Sequence, residues 1–275
     1  MLLYKALNIF TTVIVITGFF TILLSAYIPG NHIFLWEMTR EGGFFETTSF
    51  LVLLLISGYG AYFCIKHSKL LNKILLLCIG GFAFLAFVGA MEEISWGQHI
   101  FHFSSPDYFV LHNRQGEINL HNFISGTLFS TLIYVNIYIL LVFMPLLCIL
   151  LSSKIPYLAQ LKPWVAQPSV ILTVMFAQTF LAYFEDIFIV HLDTFALMVE
   201  MLLFGIGLVT KKIPVKYLSV YILVWLCILT FASTHQIFKF SNHQYEIREA
   251  FVAVAILYYF IFLTQKLLVN SLKKQ

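Results

Sequence analysis

Residues 89 to 103 read GAMEEISWGQHIFHF, and Glu92, Glu93, Ser95, His99 and His102 within that stretch carry groups that can move protons or hold a metal ion. On a continuous helix, Glu92, Ser95, His99 and His102 fall within roughly 80° of one face. A carboxylate a turn or two from imidazoles on one stripe suits general acid–base work or metal ligation. Ser95 and His99 stand four apart, close enough for a hydroxyl to meet an imidazole. The chemistry expected is activation of water or a hydroxyl, with Glu92, Glu93 and Ser95 as catalytic groups and His99 as a metal ligand.

Three further stretches carry similar residue types. The segment SSPDYFVLHNRQGEINLHN, 104 to 122, brings His121 toward the same helix end as a second metal ligand. Asn119 or Asn122 there also fits the N-cap of a following helix. YFEDIFIVHLD groups Glu185, Asp186, His191 and Asp193 in a turn, and Glu200 follows as a carboxylate inside an apolar run that needs a partner or water. SNHQYEIREAF puts Glu246 and Glu249 on one helix face, with Glu246 as a metal ligand and Glu249 as a catalytic acid. Their bland alternative is helix initiation, since Ser241 and Gln244 fit a capping box and acids in a first turn suit the helix dipole.

The elements that must position these groups are membrane helices. The chain is 60% hydrophobic and 11% charged, with a mean hydropathy of +0.91, far from the roughly 25% charged residues of soluble domains. Apolar runs predict an all-α, polytopic transmembrane bundle of about eight spans in a single integral membrane domain, residues 1–275. The expected spans are 8–28, 45–65, 74–94, 121–151, 168–187, 195–210, 214–234 and 244–265. Lys5, Lys66, Lys69, Lys73, Lys154, Lys162, Lys211, Lys212, Lys216, Lys266, Lys273 and Lys274 then share one side, which the distribution rule for basic residues makes cytoplasmic. Both termini are therefore expected inside. Nearly all the acids and histidines fall at the outer ends, so the expected pocket faces outward. Cys64, Cys78, Cys148 and Cys227 show no metal-ligand spacing and read as small apolar residues. No nucleic-acid-binding patch or phosphate loop occurs in the sequence.

The stretches REGGFFETTSFLVLL (40–54), MEEISWGQHIF (91–101), GEINLHN (116–122) and EIREAFVAVAILYY (246–259) resemble an uncharacterised family of bacterial polytopic membrane proteins. Its signature resembles Glu-Glu-Ile-Ser-Trp-Gly-Gln followed by Arg, and His99 stands here where that Arg is expected. The resemblance implies a bacterial inner membrane and carries no function. Ser95-x3-His99 is also similar to an element of alkaline-ceramidase-type zinc hydrolases, whose closing His-x3-His is absent. Glu92-Glu93 with Phe231-x3-His235 is similar to elements of CAAX-type intramembrane proteases, with Gly97 at their Arg position.

These features together predict a metal-dependent intramembrane hydrolase or transferase with zinc as the first choice of divalent metal. Its substrate would be a lipid, a lipid-linked molecule or a membrane peptide. Two alternatives stay open: a proton- or cation-coupled transporter or channel, and a non-enzymatic scaffold or sensor. Membrane lipids are the expected partners and nucleic acid is not.

Overall fold

A computed structural model of the chain describes residues 13, 16, 17, 20, 37–40, 42–113, 116–120, 126–179, 190–238 and 243–273. All regular structure among the described residues is helical. Among the described residues, four helices are long and apolar enough to cross a membrane: Glu37–His67, Lys73–Glu93, Leu132–Leu151 and Tyr245–Leu272. Pro168–Gln178, Thr194–Val209 and Val215–Thr230 are shorter apolar helices. The expected first span, 8–28, lies almost wholly outside the described residues.

Among the described residues, the α-helices in chain order are α1 (Phe44–His67), α2 (Lys73–Glu93), α3 (Gln98–Phe101), α4 (Asp107–His112), α5 (Gly126–Tyr138), α6 (Met144–Leu151), α7 (Pro156–Leu161), α8 (Pro168–Gln178), α9 (Val190–Val209), α10 (Leu218–Phe238) and α11 (His243–Leu272). They form two compact units, one of Glu41–Ile133 with Ile256–Gln275 and the other of Met1–Arg40 with Tyr134–Ala255.

In the first of these units α1 and α2 form a hairpin. Gly43 has no side chain with which to cap α1, and the Glu46 carboxylate instead accepts the Gly42 N–H at 2.6 Å. Asn72 caps α2 by accepting the Leu75 N–H at 2.8 Å. Small residues set the contact: Ala83, Ala86 and Ala90 are buried along α2, and a Cβ added at Gly60 would stand 2.6 Å from the Ala83 Cβ. Close backbone approach of this kind is how apolar helices associate where burial from water supplies no drive. Leu51, Leu55, Ile65, Ile74, Leu77 and Leu85 remain exposed on the outward faces, as side chains in contact with lipid would. The C-terminal part of α11 joins through the Phe260 ring, 5.0 Å from that of Phe82, and through Thr264 Oγ1, 3.0 Å from the Tyr59 hydroxyl.

The core of the other unit is α8, whose residues Val170 to Gln178 are all buried. It packs on α9 and α10, and its Phe176 ring meets Phe251 edge-on at 4.9 Å. Between α5 and α6 the chain makes a π turn over Ile139–Phe143. Pro145 accounts for it, because proline has no N–H to donate and its ring crowds the carbonyl four residues back, which a widened turn accommodates.

Candidate functional site

The reactive stripe expected between Glu92 and His102 does not form on one helix. α2 ends at Glu93, and Ser95, Trp96 and Gly97 adopt positive φ of 45°, 56° and 93° before α3 starts. The left-handed conformation suits Gly97, while it crowds Cβ at Ser95 and Trp96. The break turns the chain out of the helical period, so Glu92, Ser95 and His102 do not share a face. His99 lies within α3, outside the residues whose side chains are described, and His121 lies outside the described residues altogether.

The segment 116–120 partners this broken helix end. Glu92 accepts the Trp96 indole N–H at 2.6 Å with one oxygen and the Leu120 backbone N–H at 2.5 Å with the other. Ser95, 1% exposed, donates its hydroxyl to Glu117 Oε2 at 2.7 Å and accepts from Asn119 Nδ2 at 3.1 Å. Gln98 Oε1 accepts the Ile118 N–H at 3.0 Å, while its amide donates to Ser105 at 2.8 Å. Asn113 then donates to the Asn119 carbonyl and side-chain oxygens at 2.8 and 2.9 Å. Asn119 is thus tied into this network, while Asn122, the other expected N-cap, lies outside the described residues. Two stretches read separately in the sequence, EEISWGQ and GEIN, are one hydrogen-bonded knot. Glu117, Asn113 and Asn119 are its unforeseen members, since loop residues of mixed polarity show no periodicity to single them out.

A second polar cluster lies in the unit that contains Tyr134–Ala255. Arg248 is 4% exposed on α11, and its guanidinium carbon stands 3.4 Å from the Tyr134 ring centroid and 5.2 Å from that of Tyr245. Cations over tyrosine faces are held by the ring quadrupole, more strongly where water is excluded. Glu249 Oε1 lies 3.6 Å from Arg248 Nη2 and accepts the Tyr134 hydroxyl at 3.1 Å. Glu246, one turn earlier, offers a carboxylate oxygen within 4.8 Å of one on Glu249. Tyr134, an aromatic residue in a mostly apolar run, shows nothing in the sequence that singles it out.

Glu200 on α9 is fully buried, and Gln178 at the end of α8 donates to it at 3.2 Å. The partner that a carboxylate in an apolar run requires is therefore present, supplied by a residue 22 positions earlier in the chain. Gln178 Oε1 has no hydrogen-bond partner among the described residues. Glu185 and Asp186 lie outside the described residues, and the side chains of His191, Asp193 and His235 are likewise not described. The free cysteines divide: Cys148 and Cys227 are buried as expected, whereas Cys78 is exposed.

Chemically, the knot at the end of α2 engages Ser95 and Glu92 in holding a loop. The α11 cluster is the better candidate site, with two carboxylates, a caged cation and a phenol within reach of one another, and with the Glu249 side chain 34% exposed. Comparison with protein-family models, with curated proteins and with solved structures finds no match to this chain.

Proposed function

We propose that the chain is a multi-pass protein of the bacterial inner membrane, with eight spans and both termini cytoplasmic. In this reading Glu246 and Glu249 hold a divalent cation at an outward-facing site. That cation serves a hydrolase or transferase acting on a lipid, lipid-linked or membrane-peptide substrate. The supporting observation is Glu249 itself, an accessible carboxylate on a helix long and apolar enough to span, braced by Tyr134 and Arg248 with a second carboxylate one turn away. Ionisable groups in such helices are costly and mark functional sites. Glu246 and Glu249 would hold the cation, which would supply Lewis acidity toward a bound water, and Tyr134 and Arg248 fix the Glu249 carboxylate. Carboxylate ligands alone favour magnesium or manganese, whereas imidazole ligands such as His99 and His121 would favour zinc.

Elemental analysis of the purified full-length protein tests this reading. About one magnesium, manganese or zinc ion per chain is expected, falling below a tenth of that in the Glu246→Gln/Glu249→Gln double variant. Wild-type protein prepared without chelator that holds no metal, or a double variant that keeps it, would overturn the reading.

A second reading, a proton-coupled transporter, draws on Glu200 and Gln178. A buried carboxylate with an amide partner is a group that can gain and lose a proton within the membrane. Proton flux into liposomes that is abolished by Glu200→Gln would favour it over the enzyme.

A further inference from the structure

An open groove of about 530 Å³ lies between α9 and α10 and shares no lining residue with the α11 cluster. Its lining is apolar apart from Thr210 and the Tyr221 hydroxyl, with Met198, Leu202, Ile206 and Trp225 among the walls. The floor is fixed: Tyr221 stacks on Phe204 at 5.6 Å and donates its hydroxyl to the Met201 carbonyl at 3.0 Å. Gly205 makes room for this, since a Cβ there would lie 2.7 Å from the Tyr221 oxygen. At the end of the groove marked by Val209 and Thr210 the chain turns through Lys211, Lys212 and Lys216. Lys212 donates to the Leu150 carbonyl, capping the end of α6, while Lys211 and Lys216 are exposed.

We infer that this groove binds one anionic phospholipid, an acyl chain lying along Leu202, Ile206 and Trp225 and the phosphate meeting Lys211 and Lys216. Three features converge on that occupant. The walls are apolar along the length of a helix, as a hydrocarbon chain requires. The volume lies in the ordinary range of ligand pockets, roughly 300 to 1,000 Å³. Among the described residues the positive charge beside the groove is gathered at the Thr210 end, where a lipid would place its headgroup, and basic clusters beside helix ends recognise acidic headgroups. A second protein copy seated there would leave the lysines facing one another across the interface, so the charge pattern favours the lipid.

Native mass spectrometry of the delipidated full-length protein in neutral detergent, titrated with phosphatidylglycerol or with phosphatidylcholine of the same acyl chains, tests the inference. One phosphatidylglycerol per chain is expected to bind at least tenfold more tightly than phosphatidylcholine, with no displacement by inorganic phosphate. At about fivefold per lysine, the Lys211→Gln/Lys216→Gln variant should weaken phosphatidylglycerol binding about 25-fold. Ile206→Trp and Leu202→Trp, at positions exposed enough to leave the fold intact, should weaken both lipids by filling the groove. Equal affinity for the two lipids, unaltered binding in the lysine variant, or a dimer that Ile206→Trp dissociates would overturn it. None of these outcomes bears on the metal content of Glu246 and Glu249, so the two proposals stand or fall separately.

Discussion

Replacing Ser95 by alanine and, separately, by glycine measures what the residue does. Its hydroxyl gives one hydrogen bond to the Glu117 carboxylate and receives one from the Asn119 amide, and the residue is 1% exposed. A bond to a charged group contributes about 1.5 to 3 kcal/mol and a neutral one about 1 kcal/mol. Ser95→Ala should therefore destabilise the chain by about 3 kcal/mol. At 2 to 4 °C per kcal/mol, that lowers the unfolding midpoint by about 6 to 12 °C. Glycine loses the same two bonds but relieves the left-handed backbone, where φ is 45°. That relief is worth roughly 1 to 2 kcal/mol, against roughly 0.5 to 1 kcal/mol of extra chain entropy for glycine. Ser95→Gly should accordingly be the milder change, by about 0.5 to 1 kcal/mol. Thermal unfolding of the full-length protein in detergent, followed by far-ultraviolet circular dichroism, reads both. A double-mutant cycle with Asn119→Ala should give a coupling of about 1 kcal/mol. A midpoint for Ser95→Ala within 1 °C of wild type, or a glycine variant less stable than the alanine one, would refute a structural role for this serine.

Packing and the second cluster yield two more expectations. Gly60→Ala drives a methyl against Ala83 and should destabilise by about 1 to 3 kcal/mol, whereas Gly58→Ala, with nothing within 4 Å, should be neutral or stabilising by up to about 1 kcal/mol. Comparing the two midpoints checks the pair, and similar shifts would contradict the close α1–α2 contact. Tyr134→Phe removes the bond to Glu249 but keeps a ring over Arg248, so it should cost about 1 kcal/mol. Tyr134→Ala also loses the ring and leaves a cavity, and should cost about 3 to 5 kcal/mol. Denaturant midpoints for the two variants that coincide would remove the ring from the account.

Composition made the helices legible, because a chain this apolar has few other ways to satisfy its backbone in lipid. What it hid were the departures from periodicity. The 3.6-residue template carries Glu92 smoothly on to His102, yet Ser-Trp-Gly at 95–97 breaks the helix, and the one signal available was the glycine near an expected helix end. Pro145 was likewise a visible cue to the π turn that no span prediction used. Tyr134 and Gln178 escaped for a different reason. Each sits in a mostly apolar run, and its meaning comes from a partner distant in sequence, Glu249 for one and Glu200 for the other.

The polar groups closing an apolar helix at Glu92 thus have a cause that does not require catalysis. Where a helix stops near a membrane surface, the loop that leaves it has backbone N–H groups needing acceptors, and Glu92 and Gln98 take those of Leu120 and Ile118. Acids whose partners are loop N–H groups are accounted for by the fold. Glu200 and Glu249 differ, because their partners are side chains within apolar helices: Gln178 for the first, Tyr134 and the neighbouring Arg248 for the second. Folding alone gains little from placing a carboxylate there, since an apolar residue of similar size would pack without the cost of removing a charge from water. The carboxylates that the loops do not explain are the ones on which function should be sought, and Ser95 and Glu92 hold the helix end in shape.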